Sequence, residues 1–202
     1  MHKNLIITFT RNPELGKVKS RLAKDIGEAS ALEVYKLLLE HTKNVLLQLD
    51  CDKAVYYSVK IRENDIWDSE IFSKHQQSGN DLGERMQNAF KNGFEKGYKN
   101  IIIVGSDLYD LDAEIINTAF KKLESHDNVI GPAVDGGYYL LGMKTLHPSV
   151  FKINNWGTQT VYKQTISKLN TNSMYVLDTL NDIDYVEDLE PYNVFKPYLK
   201  ND

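Results

Sequence analysis

Two rhythms of apolar residues take turns along the chain. Runs rich in β-branched and aromatic residues, Leu5 to Phe9, Lys53 to Val59, Ile101 to Val104, Asn128 to Val134, Tyr138 to Met143 and Met174 to Leu177, have the length and composition of strands. Between them, apolar residues recur at helical spacing. Ala31 to Leu49 places Tyr35, Leu38, Leu39, Val45, Leu46 and Leu49 on one face; Gly79 to Met86 opens a helix that turns Leu82, Met86, Ala89, Phe90 and Phe94 inward. Asp110 to Glu114 is an acidic start, with Asp112 as cap, ahead of Ile115, Ile116, Ala119, Phe120 and Leu123, and Thr158 to Leu169 carries Val161, Tyr162 and Ile166. Ile61 to Glu70 is mostly polar, anchored by Ile66 and Trp67; His75 lies in a polar run and reads as a surface histidine; Pro191 and Pro197 close a polar tail. This alternation predicts one α/β domain over residues 1–202, with three layers (α/β/α) around a mostly parallel mixed sheet, interrupted by the run from Val129 to Met143.

Composition narrows the picture. The chain has 202 residues and is 42% hydrophobic, enough to bury roughly 70% of its unfolded surface. A formal charge of -4 leaves no basic footprint for nucleic acid. No apolar run approaches the ~18 residues a membrane span needs. The apolar stretch after Met1-His2-Lys3-Asn4 is too short for a signal peptide, and Cys51 has no second cysteine to pair with. These features predict a cytoplasmic protein that binds neither nucleic acid nor membrane, and they leave room for a homodimer.

The candidate chemistry gathers at strand ends. Ile101-Ile102-Ile103-Val104 has no polar side, so it reads as a central strand covered on both faces, and Gly105-Ser106-Asp107 follows at the carboxyl end, where open α/β sheets bind ligands. Ser106 lacks the second glycine of a nucleophile elbow. After the first strand, Arg11-Asn12-Pro13-Glu14-Leu15-Gly16 leads into Lys17, Lys19 and Arg21, cations suited to a polyphosphate, although a solvated basic loop has the same spacing. It is not a P-loop, since Val18 follows Lys17. Gly79, Asn80, Leu82 and Gly83 at a helix start either shape a turn or offer backbone amides to an anion or a base edge. Asp135-Gly136-Gly137 is either a hairpin turn or a second strand-end carboxylate. Asp184, three residues before Glu187, reads as a helix cap.

Four blocks together, Pro13 to Leu22, Gly79 to Met86, Gly105 to Asp107 and Gly131 to Gly142, resemble a bacterial family of small transferases with a glycosyltransferase-A-like, nucleotide-diphospho-sugar transferase fold, the radical-SAM- or selenium-associated type. Trp156-Gly157-Thr158 and Asp184 to Leu189 support the resemblance. That family is in turn similar to nucleotidyltransferases such as 2-phospholactate guanylyltransferase, through Lys19-Ser20-Arg21-Leu22 and Asp135-Gly136-Gly137. The resemblance implies that Arg11, Gly16, Lys17, Lys19 and Arg21 hold nucleotide phosphates and that Gly79, Asn80, Leu82 and Gly83 lie near the base. It implies that Asp107 binds Mg2+ or Mn2+, with Asp135 or Asp184 as second ligand, and that Asp107, Asp135 and Lys19 carry the catalysis. Gly136, Gly137, Tyr138 and Trp156 would face the acceptor, although both aromatics read equally as core. Leu108-Tyr109 stand where the family has Ser-Pro, and Leu15 where it has Pro. The implied function is glycosyl transfer from a nucleotide sugar to a small acceptor. A nucleotidyltransferase releasing pyrophosphate and a non-catalytic nucleotide-binding module are the alternatives, the last disfavoured because a binder needs the cations but not two strand-end carboxylates.

Overall fold

A computed structural model describes residues 2–169 and 173–199. Its strands are β1 (Asn4–Thr10), β2 (Asp52–Tyr57), β3 (Phe72–Gln76), β4 (Asn100–Val104), β5 (Asn128–Pro132), β6 (Tyr138–Met143) and β7 (Met174–Val176). Its helices are α1 (Ala23–Ile26), α2 (Glu28–Leu47), α3 (Leu82–Glu95), α4 (Ala113–Lys122) and α5 (Val161–Lys168), with 3-10 turns at Pro148–Phe151, Val186–Leu189 and Asn193–Tyr198. The strands form one sheet in the order β3-β2-β1-β4-β6-β5-β7.

Every residue of β4 is buried, and the strand lies between β1 and β6. Ile101 and Ile103 pack with Met86, Ala89 and Phe90 of α3, whereas Ile102 and Val104 pack with Tyr35 and Leu39 of α2 and Ile116 and Phe120 of α4. Helices therefore cover both faces, and both sets of alternate side chains must be apolar. Only β6 runs against its neighbours, antiparallel to β4 and β5, so the expected break falls within the run from Val129 to Met143. The sheet is otherwise parallel.

Two expectations need correction. The segment containing His75 is the edge strand β3, and His75 stacks on Tyr56 with ring centroids 4.8 Å apart. Burial, with the charge of Lys96 adding to it, lowers the imidazole pKa. The carboxyl-terminal segment is also no polar tail. Ile183, Leu189 and Phe195 are fully buried against Leu22, Val34 and Leu38, on the side of α2 away from the sheet. Helix α2 is thus packed on two sides, a position its single apolar stripe understates.

Replacing Phe195 by alanine should cost about 3–5 kcal/mol, the range for emptying a fully buried phenylalanine site. Urea unfolding measures the loss; a change under about 1 kcal/mol would show that this ring does not hold the segment down.

Candidate functional site

The carboxyl ends of β1, β2 and β4 open into a cleft of about 780 Å3. One buried hydroxyl ties its two sides. Tyr35 Oη, reaching up from α2, accepts the Arg11 N–H at 2.9 Å and lies 3.2 Å from Thr10 Oγ1 and 3.3 Å from Ser106 Oγ, joining the end of β1 to the end of β4. Burial raises the pKa of this phenol, which keeps its proton available for the network. The side chain of Asn12 fastens the same loop to the next one, accepting the Val59 N–H at 3.0 Å and donating to the Lys60 carbonyl at 2.8 Å. Val18 and Leu22 are buried anchors, so the intervening Lys19 and Arg21 are directed toward the cleft. Gly16 shapes the turn, at φ 69° and with Glu28 close to where a side chain would begin.

Lys19 stands at the centre of the site. Its Nζ lies 3.1 Å from Asp107 Oδ2 and 3.0 Å from Asp184 Oδ1, and its side chain is only 5% exposed. Burial opposes the ammonium charge, but the two carboxylates outweigh it and hold the pKa above the ordinary lysine value. The residue adopts φ 47°, unusual for a side chain of this size, and its two ion pairs hold it there. Arg21 donates to Asp184 Oδ2 at 2.9 Å and lies over the Tyr185 ring.

A short backbone contact delivers the carboxylates. The Ile183 N–H donates to the Asp107 carbonyl at 3.1 Å, and the Ile183 side chain is fully buried. Its neighbours Asp182 and Asp184 therefore turn the other way, and with Asp107 they place three carboxylate oxygens within 4.8 Å of one another. Gly105 makes room: a Cβ there would lie 2.9 Å from Asp107 Oδ1. Asp184 is consequently not a helix cap. Asp188 plays that part, accepting the Asp184 and Tyr185 N–H groups at 2.9 and 2.7 Å. Oxygen-only ligands at this separation suit a hard divalent cation, and an ion held by them competes with the Lys19 ammonium for the same oxygens.

The expected residues divide by position. Arg11, Lys17, Lys19, Arg21, Leu82 and Asp107 all line the cleft. Gly16, Gly79, Asn80 and Gly83 do not. The Asn80 N–H is taken by the Glu84 carboxylate at 2.8 Å, and Gly79 holds a tight turn whose carbonyl accepts from Arg85 Nε. Gly83 is buried, and a Cβ there would lie 2.2 Å from the Phe151 carbonyl oxygen, so its lack of a side chain serves close packing. Arg85 and Gln77, which the sequence reading passed over, line the cleft instead.

Beyond Asp107 the cleft continues into a smaller hollow of about 270 Å3, lined in part by Gly137, Tyr138 and Trp156. Gly136 does not open space there, because a Cβ would lie 2.3 Å from the Gln159 carbonyl oxygen and bring the two loops into collision. Asp135 borders both spaces and accepts the Gly137 N–H at 2.7 Å. It lies outside the trio around Asp107, in which Asp184, the alternative second carboxylate, stands together with Asp182. The signal for Asp182 was the polar-apolar-polar alternation Asp182-Ile183-Asp184, a strand-like period masked by the capping motif beside it.

Burial, then the charges of Asp107, Asp184 and Asp135, push the Asp182 carboxyl up to about 6 from an ordinary 3.8. Between those values the folded protein keeps a proton that the unfolded chain has released, so stability falls as pH rises through the window. Asp182→Asn should therefore raise the melting temperature of the metal-stripped protein near about pH 8, with the gain vanishing by about pH 4. Thermal scans across that range are the check; a gain independent of pH would trace it to packing.

The architecture is that of nucleotide-diphospho-sugar transferases. A protein from Desulfovibrio desulfuricans, named as a candidate nucleotide-diphospho-sugar transferase, is 33% identical, with 97% of this chain and 89% of that one aligned at a TM-score of 0.88. The 4-diphosphocytidyl-2C-methyl-D-erythritol synthase of Anaerococcus prevotii shares the fold at 11% identity, covering 95% of each chain at a TM-score of 0.61. A cytidylyltransferase from Leptospira borgpetersenii does so at 14% identity, covering 100% of this chain and 89% of that one at a TM-score of 0.57. No curated protein matches the chain significantly. Residues 41–158 match the model of a family described as uncharacterized proteins conserved in bacteria, DUF2064, and the chain belongs to that family.

Proposed function

We propose that the protein is a metal-dependent transferase acting on a nucleotide-activated donor, and that it moves a glycosyl group from a nucleotide sugar to a small acceptor. The observation that carries this reading is the meeting, in one cleft, of Arg11, Lys17, Lys19, Arg21 and Arg85 with the carboxylates of Asp107 and Asp184. Cations along one wall suit a diphosphate, and strand-end carboxylates suit a cation bridging to it. Mg2+ or Mn2+ held by Asp107, Asp182 and Asp184 would supply neutralisation of the charge that develops on the leaving phosphate.

The chain's own residues do the rest. Lys17, Lys19 and Arg21 orient the phosphates and share their charge in a partly water-free cleft, where fixed cations count for more than in bulk solvent. Asp135, between cleft and hollow, stands where an acceptor proton is to be taken up. The anomeric carbon–oxygen bond to phosphate breaks, its electron pair leaves with the nucleoside diphosphate, and the acceptor oxygen bonds to the sugar as its proton passes to Asp135. Nucleotidyl transfer, with an acceptor phosphate attacking the α-phosphorus and pyrophosphate leaving, is the second reading. It draws on the cytidylyltransferase neighbour and on the resemblance to 2-phospholactate guanylyltransferase.

Incubation with Mg2+ or Mn2+, nucleotide sugars, nucleoside triphosphates and pooled acceptors should release nucleoside diphosphate. Acceptor-dependent pyrophosphate without any nucleoside diphosphate would select the second reading. Asp107→Asn is expected to keep the fold while lowering turnover roughly a thousandfold, about 4 kcal/mol of barrier. Wild-type turnover in a folded Asp107→Asn protein would remove this aspartate from the chemistry.

A further inference from the structure

The cleft and the hollow that meet at Asp107 and Asp135 differ in charge. Five cationic side chains line the cleft, Arg11, Lys17, Lys19, Arg21 and Arg85. Among the described residues, no lysine, arginine or histidine lines the hollow. Met86, Ile103, Leu108 and Val161 are among its apolar walls, and its carboxylates are Asp107, Asp135 and Asp182. Of its partly exposed aromatic walls, Phe9 has no polar atom, Tyr138 Oη is engaged by Met86 Sδ at 3.8 Å, and Trp156 Nε1 is buried against Gly83. What these rings present to the hollow is carbon.

We propose that the hollow admits an acceptor with a compact apolar body and an uncharged or cationic nucleophilic end, an alcohol or an amine, and rejects phosphorylated or carboxylated acceptors. This rests on the transferase reading above. An anionic group in the hollow would be desolvated beside carboxylates with no cation of its own to pair with. A divalent ion on Asp107, Asp182 and Asp184 would offset the charge of those three, leaving Asp135, outside the trio, as the uncompensated carboxylate at the mouth. In the step itself the acceptor reacts as the neutral alcohol or amine, an ammonium first releasing one proton to solvent, and its O–H or N–H bond breaks as the oxygen or nitrogen bonds to the anomeric carbon. The proton goes to Asp135, and the electron pair of the broken sugar–phosphate bond leaves with the nucleoside diphosphate. Nucleotidyl transfer onto a phosphate would call for cationic side chains in this hollow, and among the described residues none lines it.

Three probes of similar shape test the proposal on the full chain with Mg2+: benzyl alcohol, benzylamine and benzyl phosphate, with binding followed through the NMR signal of the Trp156 indole. The alcohol and the amine should each bind at least about tenfold more tightly than the phosphate. Thr158→Lys, which brings a cation to the exposed rim, should improve benzyl phosphate binding by about tenfold or more. Benzyl phosphate binding the unaltered protein as tightly as benzyl alcohol, or no binding by any of the three, would overturn the proposal. Release of nucleoside diphosphate from nucleotide sugars without any acceptor probes the underlying reading separately. Preference for the neutral and cationic probes without such release supports the hollow's selectivity and counts against transfer; release together with a preference for the phosphate does the reverse.

Discussion

A buried ammonium held between two carboxylates is the constraint around which the functional end of the molecule is arranged. Lys19, almost inaccessible to solvent, is tolerable as a charge only because Asp107 and Asp184 flank it, and each carboxylate arrives from a different part of the chain. Asp107 needs the covered strand β4 and the absence of a side chain at Gly105. Asp184 needs Ile183 locked in apolar contacts on the far side of α2. Core packing and site chemistry are in this sense one problem, since the apolar side chain that stabilises the carboxyl-terminal segment also aims the acidic residues on either side of it.

Much of this was legible in the sequence, and the parts that were not share a cause. β4 and its terminal aspartate could be read because a strand covered on both faces has no polar alternation to blur it. The basic loop could be read because alternate cations after a strand are conspicuous, and the structure lines the cleft with all of them. β3 was hidden because an edge strand with one deeply buried side chain, Phe72, looks polar. The carboxyl-terminal segment was hidden because its buried residues, Ile183, Leu189 and Phe195, are separated by charged ones at no regular period. Asp182 was obscured by a local motif with a sufficient explanation of its own, a motif that also made Asp184 read first as a cap. At Gly79 to Gly83 a turn and ligand contacts were both open readings; Gly79 shapes a tight turn and Gly83 answers to the close approach of Phe151 and Trp156, while Leu82 lines the cleft.

Opposite charge on the two sides of Asp107 gives the site a direction. The cationic wall attracts whatever carries phosphates and the carboxylates at the hollow repel it, so a donor of that kind is oriented before any close contact forms. The hydroxyl of Tyr35, shared between the loop bearing the cations and the strand end bearing Asp107, keeps the two halves in register.

The pairing of Lys19 with Asp184 spans 165 positions of sequence. Closing so long a loop is among the slowest kinds of contact a chain makes, because the entropy of the intervening segment is lost before the contact returns any free energy. The sheet can form from its nearer neighbours while the carboxyl-terminal segment is still free, whereas the cluster of lysine and aspartates exists only once that segment has docked. The chemistry of this site is thus tied to the last-synthesised part of the chain, and damage to the docking residues would disperse the lysine–aspartate cluster along with the stability that their burial contributes.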